Sequence, residues 1–314
     1  MRRVAPALVA ALLALTVGSC TIGTGGGRSG GAKLTVTRDF GAETLVRASV
    51  RRIPGGETVM RQLQRRAKVE TRYGGRFVNA IGGVRSGSTH GRRHDWFYYV
   101  NGIEADSGAA DWKLHGGDRV WWDYRDWGAA MRVPAVVGSF PEPFIHGTDG
   151  KRFPVRIDCA QDAAETCRRV ADELDRAGIS PSTTALGAPA GKEVLRFVIG
   201  RWDDVRRDGA ARQLEDGPSK SGVFARVVPT AGGYELDLLD STGAVARRLR
   251  SNTGLVAATR FEQQQPTWVV SGLDRAGLEH AAGLLQERLL RDRYAVASVG
   301  QQPVPLPLPA GEAP

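Results

Sequence analysis

Cysteine is scarce in this 314-residue chain: there are three, Cys20, Cys159 and Cys167. So few exclude a disulfide-dense miniature scaffold and leave no four-cysteine cluster for structural zinc. Histidine is almost as rare, at five, and no His-Glu-x-x-His pair is present to hold a catalytic metal on one helix face. A Gly-x-Ser-x-Gly elbow between a strand and a helix, a Walker loop, and a Gly-x-Gly-x-x-Gly turn after a strand are also missing. Carboxylates are plentiful but unpatterned. Asp203-Asp204 and Asp123 with Asp126 are the pairs nearest to a glycosidase arrangement, and they read more simply as capping or salt-bridged acids. The expectation is a non-enzymatic protein with no catalytic residues. Lysine supplies only six of the 43 basic residues behind the formal charge of +9. The arginines are scattered, often beside Asp or Glu, with no basic block of five. That distribution argues against nucleic acid as a partner, since phosphate-binding surfaces concentrate their charge.

Long apolar runs are missing too, except at residues 4–17 behind Arg2-Arg3. This run is too short for a stable bilayer anchor and has the layout of an export signal. It closes on Val17-Gly18-Ser19-Cys20, which resembles the bacterial lipobox, whose cysteine becomes the lipidated first residue. A plain secretory signal cut near the same place is the alternative. The lipobox reading gives a signal peptide at 1–20, lipidation at Cys20 and a Gly/Ser/Thr-rich tether at 21–32. The mature protein would then sit on the outer face of the bacterial cytoplasmic membrane, its membrane partner reached through the lipid. An exported protein keeps Cys159 and Cys167 as an even pair, eight residues apart, and a disulfide is expected between them.

The rest of the chain is long enough for two cores. Strands are expected at 33–39 and 45–51, a helix at 57–66, extended segments at 69–73 and 76–81, then a polar loop at 82–93. A strand followed by a break is expected at 134–143, and 144–150 is the candidate boundary. Beyond it the pattern is α/β. Strands are expected at 153–157, 193–199, 223–228, 234–239, 245–249, 267–271 and 294–299. Helices are expected at 162–177, 202–214 and 274–291, the last capped by Asp274. The Pro-rich stretch 301–314 reads as a disordered or extended tail. The fold class is therefore α+β: a domain at 33–147, a separate α/β domain with strand-helix-strand units at 150–300, and the tail.

The aromatic stretch 94–105 organises the first half. His94-Asp95-Trp96-Phe97-Tyr98-Tyr99-Val100 favours a strand, and Asn101-Gly102 supplies the positive φ angles of a tight turn. A partner strand follows at 118–124, in which alternation sends Val120, Trp122 and Tyr124 to one face and Trp121 to the other. A small domain cannot bury all these rings equally. Those left outside would make a ligand surface from Trp96, Tyr98, Trp121, Trp122, Tyr124 and Trp127, with Tyr73, Arg76 and Asn101 as polar rim. The bland alternative is packing against the second half. His90 and His94 share a Gly/Ser-rich loop and are the candidate metal ligands.

The runs Thr71-Arg-Tyr-Gly-Gly-Arg-Phe-Val78, Trp96-Phe-Tyr-Tyr-Val-Asn-Gly102, Gly108-Ala-Ala and Gly117-Asp-Arg-Val-Trp-Trp-Asp-Tyr124 together resemble the transcobalamin-like C-terminal domain. The resemblance covers about residues 33–144 and implies a β-grasp fold. It also implies a ligand role, in which such a domain covers one face of cobalamin. The large all-helical partner domain of those carriers has no counterpart here. The expected function is that of a membrane-anchored lipoprotein binding a ligand through its β-grasp domain. A corrinoid handed to an uptake transporter is the most specific ligand, with no resident cofactor. The alternative is a cell-envelope module that docks a protein or glycan.

Overall fold

The computed structural model describes residues 30–89, 91–262 and 264–311. Cys20, most of the tether and His90 lie outside the described residues. The fold is α+β. In the first half, β1 (Ala32–Arg38) and β2 (Glu43–Val50) form an antiparallel hairpin. It is followed by α1 (Val59–Gln64), whose Thr58 cap accepts a bond from the Arg61 amide. A small antiparallel sheet comes next: β3 (Val69–Arg72), β4 (Phe77–Ile81) and β5 (Val84–Arg85). The main sheet resumes with β6 (Gly87–Thr89), β7 (Arg92–Val100), β8 (Ile103–Glu104) and β9 (Arg119–Asp126).

Its strand order is β2-β1-β9-β7-β6, with β1 and β9 parallel at the centre and β8 paired to β7. A parallel central pair needs a crossover, and the segment carrying α1 supplies it. This is the β-grasp arrangement. The alternation on β9 is as expected. Val120 and Trp122 join Leu34, Val36, Val59 and Leu63 in a core under α1, while Trp121 faces the other way. The polar loop expected at 82–93 contains the short strands β5 and β6.

The second half begins with β10 (Val155–Cys159), α2 (Ala164–Arg176), β11 (Ser182–Ala185) and β12 (Leu195–Arg201). Three short helices follow: α3 (Trp202–Val205), α4 (Gly209–Arg212) and α5 (Pro218–Ser221). Then come β13 (Ala225–Thr230), β14 (Gly233–Leu239), β15 (Val245–Leu249), β16 (Thr253–Thr259) and β17 (Thr267–Gly272). The last elements are α6 (Arg275–Gly283), α7 (Glu287–Leu290), β18 (Ala295–Val299) and β19 (Gln302–Leu306). Seven strands form one mixed sheet in the order β11-β10-β12-β17-β16-β18-β19, parallel over the first four and antiparallel after β17. One face buries Ile157, Phe197 and Trp268 with α2 and α6 residues Val170, Leu174, Leu278 and Ala281. The opposite face carries α3, α4 and the β13–β14–β15 sheet. Its core includes Phe40, Tyr99 and Trp121 from the first half, so the halves share apolar packing. The expected disulfide is present, joining Cys159 at the end of β10 to Cys167 in α2.

Several expectations are corrected. Residues 134–143 do not form a strand: Ala135 makes one isolated bridge to Ile103, and Val137–Ser139 is a single 3-10 turn. Gly138 there sits so close to Arg293 and Trp121 that a β-carbon would come within 2.7 Å of both. The helix expected at 202–214 is interrupted, because Asp208 turns out of helical geometry to cap α4 through the Ala210 and Ala211 amides. The helix starting after Asp274 stops at Gly283 and resumes as α7. The tail at 301–314 is ordered through β19. Its prolines are tolerated because β19 is an edge strand, and Leu306 and Leu308 are buried. Among the described residues no helix is long and apolar enough to cross a membrane.

Candidate functional site

Antiparallel pairing of β7 with β9 sets Trp96 opposite Tyr124, Tyr98 opposite Trp122 and Tyr99 opposite Trp121. The Tyr98 and Trp122 rings stack at 4.8 Å and those of Trp96 and Tyr124 lie 5.2 Å apart. Trp96, Tyr98 and Trp122 are buried in the first-half core, which corrects the expectation of an open aromatic surface. The cause is the small β3–β4–β5 sheet, which reaches over this face. Its Val84 carbonyl accepts the Trp96 indole N–H at 3.1 Å. Tyr98 donates its hydroxyl to the Ser107 carbonyl at 2.6 Å, and burial pushes its phenol well above the ordinary value.

Trp121 is buried on the opposite face, against the second half. Its ring meets Tyr294 edge-on at 5.3 Å, and its indole N–H donates to the Thr37 hydroxyl at 2.7 Å. Asn101 is no rim residue either. It is fully buried in a positive-φ turn, donates to Asp118 Oδ1 at 2.9 Å and to the Gly147 carbonyl at 2.8 Å, and accepts the Arg119 amide. Tyr124 and Trp127 are half-buried. Tyr124 donates to the Arg85 carbonyl, and the Trp127 indole donates to Asp95 while Arg93 covers its face at 3.9 Å. Tyr73 stands apart at the β3–β4 tip, 80% exposed, with Arg76 also exposed beside it. The His94 ring stacks on Tyr124 at 5.5 Å. No group of three or more His, Cys, Asp and Glu is placed to hold a metal among the described residues.

Arg76, Trp96, Tyr98 and Trp122 do come together, as walls of one crevice of about 170 Å³. That lies below the roughly 300–1,000 Å³ usual for small-molecule sites.

A larger cleft opens on the back of the same sheet. Beside it, Asp123 is completely buried and accepts bonds from the Thr37 hydroxyl at 2.5 Å, the Tyr294 hydroxyl at 2.9 Å and the Gly41 amide at 3.2 Å. Burial pushes its carboxyl up to about 6, against the pull of those donors. Tyr99 and Tyr294 complete this buried cluster, their hydroxyls 3.3 Å apart. Where the contact ends, a cleft of about 320 Å³ remains, walled by Lys33, Arg47, Ser49 and Arg119 on one side and by Glu287 and Asp292 on the other. Arg119 pairs with Glu287 at 2.8 Å and also donates to the Phe140 carbonyl, while Arg47 pairs with Asp292. Lys33 is exposed and makes no ion pair among the described residues.

These residues escaped the sequence reading. Half of the signal was there: Lys33 and Arg119 alternate with the core residues Leu34 and Val120, which places them on one face. The opposing wall lies 168 positions beyond Arg119 and farther still from Lys33, and nothing local announces it.

Residues 56–126 match the family model described as a domain of unknown function (DUF4430), inside the stretch that resembles the transcobalamin-like domain. No curated protein matches the chain. Among solved structures, a similar one is the crystal structure of a Ruminococcus gnavus protein named for a suggested metal-binding role. It is 11% identical, and the alignment covers 31% of this chain and 97% of that one with a TM-score of 0.25. At that score the likeness carries no structural argument.

Proposed function

We propose that this protein is a non-enzymatic, extracytoplasmic binding module, tethered through Cys20, that holds a compact polar ligand against the back of its β-grasp sheet. The cleft of about 320 Å³ carries this reading. It sits between two packed halves, a frequent place for ligand sites, and its volume suits a molecule smaller than a typical drug. Lys33 offers an uncommitted cation there, and Ser49 and Thr35 offer hydroxyls. Export is supported by the charged and apolar start ending at Cys20, and by the Cys159–Cys167 disulfide.

The corrinoid reading rests on the family resemblance. A flat macrocycle needs an open ring surface, and the inward-turned Trp96, Trp121 and Trp122 do not offer one. A docking role toward a protein or glycan is favoured by one observation, the 80% exposed Tyr73 between Arg72 and Arg76.

Trp121 lines the cleft, so occupancy should change its fluorescence. Purified protein titrated with citrate and with cobinamide is expected to give a saturable response to citrate that weakens about tenfold in Lys33→Glu. Saturation by cobinamide and not by citrate would favour the corrinoid reading. An unchanged citrate affinity in Lys33→Glu would remove the cleft from consideration. Membrane retention that survives Cys20→Ser would remove the tether.

A further inference from the structure

A larger cavity than the cleft lies elsewhere, beside the second-half sheet. It is a groove of about 1120 Å³ at the carboxyl ends of β10 and β11. Its position follows from topology. The chain leaves β10 through α2 toward β11 on one side. It leaves the adjacent, parallel β12 through α3 and α4 on the other, reaching β16 and then β17 by way of α5 and the β13–β14–β15 sheet. Connections that depart in opposite directions from neighbouring parallel strands leave a crevice between them, which in open α/β sheets is where ligands bind. Here the crevice is walled by α2 on one side and by the α3–α4 connection on the other, with Ala160 and Leu186 among its floor residues.

The charges decide the ligand class. Three arginines line the groove, Arg168, Arg196 and Arg207, against two aspartates, Asp204 and Asp208. Arg196 is buried and committed: it pairs with Asp158 and Asp208 at 2.8 Å each and donates to Thr267 at 3.2 Å. Asp208 is also committed, to Arg196 and to the α4 cap. What remains toward solvent is Arg168 on one wall and Arg207 on the other, both exposed, with Asp204 half-buried near them. Neither arginine has a side-chain hydrogen bond or ion pair among the described residues, so both guanidinium groups are free to meet a ligand. The Cys159–Cys167 disulfide lies in the wall and ties α2 to the end of β10, so the two sides of that wall cannot part. We infer that this groove binds a small organic anion, its carboxylate or phosphate group between Arg168 and Arg207 and its apolar part against Ala160 and Leu186.

The test uses the whole protein and two probes, citrate and pyrophosphate, titrated at constant ionic strength. Saturable binding of at least one is expected by calorimetry, at or below about 1 mM. The Arg168→Ala/Arg207→Ala double variant should weaken it at least about tenfold, whereas Arg169→Ala, a neighbour outside the groove, should leave it unchanged. Ala164→Trp, which fills the groove from an exposed helix position, should weaken it as well. A readout independent of any variant is the amide spectrum of the wild-type protein, in which Ala160, Gln161 and Ala164 should shift on titration. Lys33→Glu separates this site from the cleft, whose lining alone includes Lys33: only binding that persists in Lys33→Glu and is weakened when the two arginine substitutions are added to it counts for this groove. No saturation by either probe up to about 20 mM overturns the inference, as does wild-type affinity in the double variant.

Discussion

Asp123 shows how a single residue can hold two parts of a chain together at a cost in charge. Its carboxyl has three hydrogen-bond donors, from Thr37, Gly41 and Tyr294, yet burial outweighs them and its pKa rises to about 6. The sign follows by linkage. The folded protein holds the proton more tightly than the unfolded chain, whose carboxyl titrates near the ordinary 3.8. This group therefore favours folding most below about pH 4, and that advantage is lost as pH rises through 6. The difference is up to about 3 kcal/mol, because each tenfold gain in proton affinity corresponds to roughly 1.4 kcal/mol. Urea unfolding of wild type and Asp123→Asn at pH 4, 5, 6 and 8 should show the two diverging across that window. The wild type should lose the more stability as pH rises; parallel curves would show that Asp123 titrates normally. None of this was legible locally. Asp123 looks like one of many unpatterned acids in the sequence, because its partners come from β1, from a turn and from a tyrosine 171 positions away. The turn role of Asn101 was legible, but not its bond to the Gly147 carbonyl.

Among the elements, β9 was the most readable, and its two adjacent tryptophans separate two kinds of burial. Period-two alternation puts Trp122 and Trp121 on opposite faces, and the fold keeps them there. What the alternation does not show is that both faces are covered, one by α1 and the small β3–β4–β5 sheet, the other by Tyr294 and its neighbours. Trp122→Ala should cost about 3–5 kcal/mol, as is usual on emptying a tightly packed aromatic site. Trp121→Ala should cost less globally and act at the contact between halves, with amide exchange quickening around Tyr294 and Gly138 while the α1 core stays protected. Equal loss of protection on both sides of the sheet would refute that division. Elements without a periodic signal were the ones missed. Strand β16 is buried on both faces and so does not alternate, and β11 is short, polar and at an edge. Strand β19 looks like a tail because proline argues against a strand, and only its edge position removes the objection.

At the scale of the whole molecule, the division into two units read from the sequence meets a core that both halves build. Phe40 packs edge-on against Phe224 at 4.9 Å and against Tyr294 at 5.1 Å, and Trp121 and Tyr99 join the same cluster. Separating the halves would expose these rings together with the buried Asp123 and Arg125, so neither half is expected to unfold alone while the other stays native. Scanning calorimetry should therefore give one transition whose calorimetric and van't Hoff enthalpies agree. Ending the chain at residue 300 tests how far that coupling reaches. The deletion removes β19, takes Leu306 and Leu308 out of the core that Phe40 and Trp121 also enter, and leaves β18 as an unpaired edge. The shortened protein should melt lower, still in one transition, and aggregate more readily through the bared strand. If two transitions appeared, with the lower one confined to the second half, the halves would be independent units, and the cleft between them would lose the fixed walls that make it a candidate site.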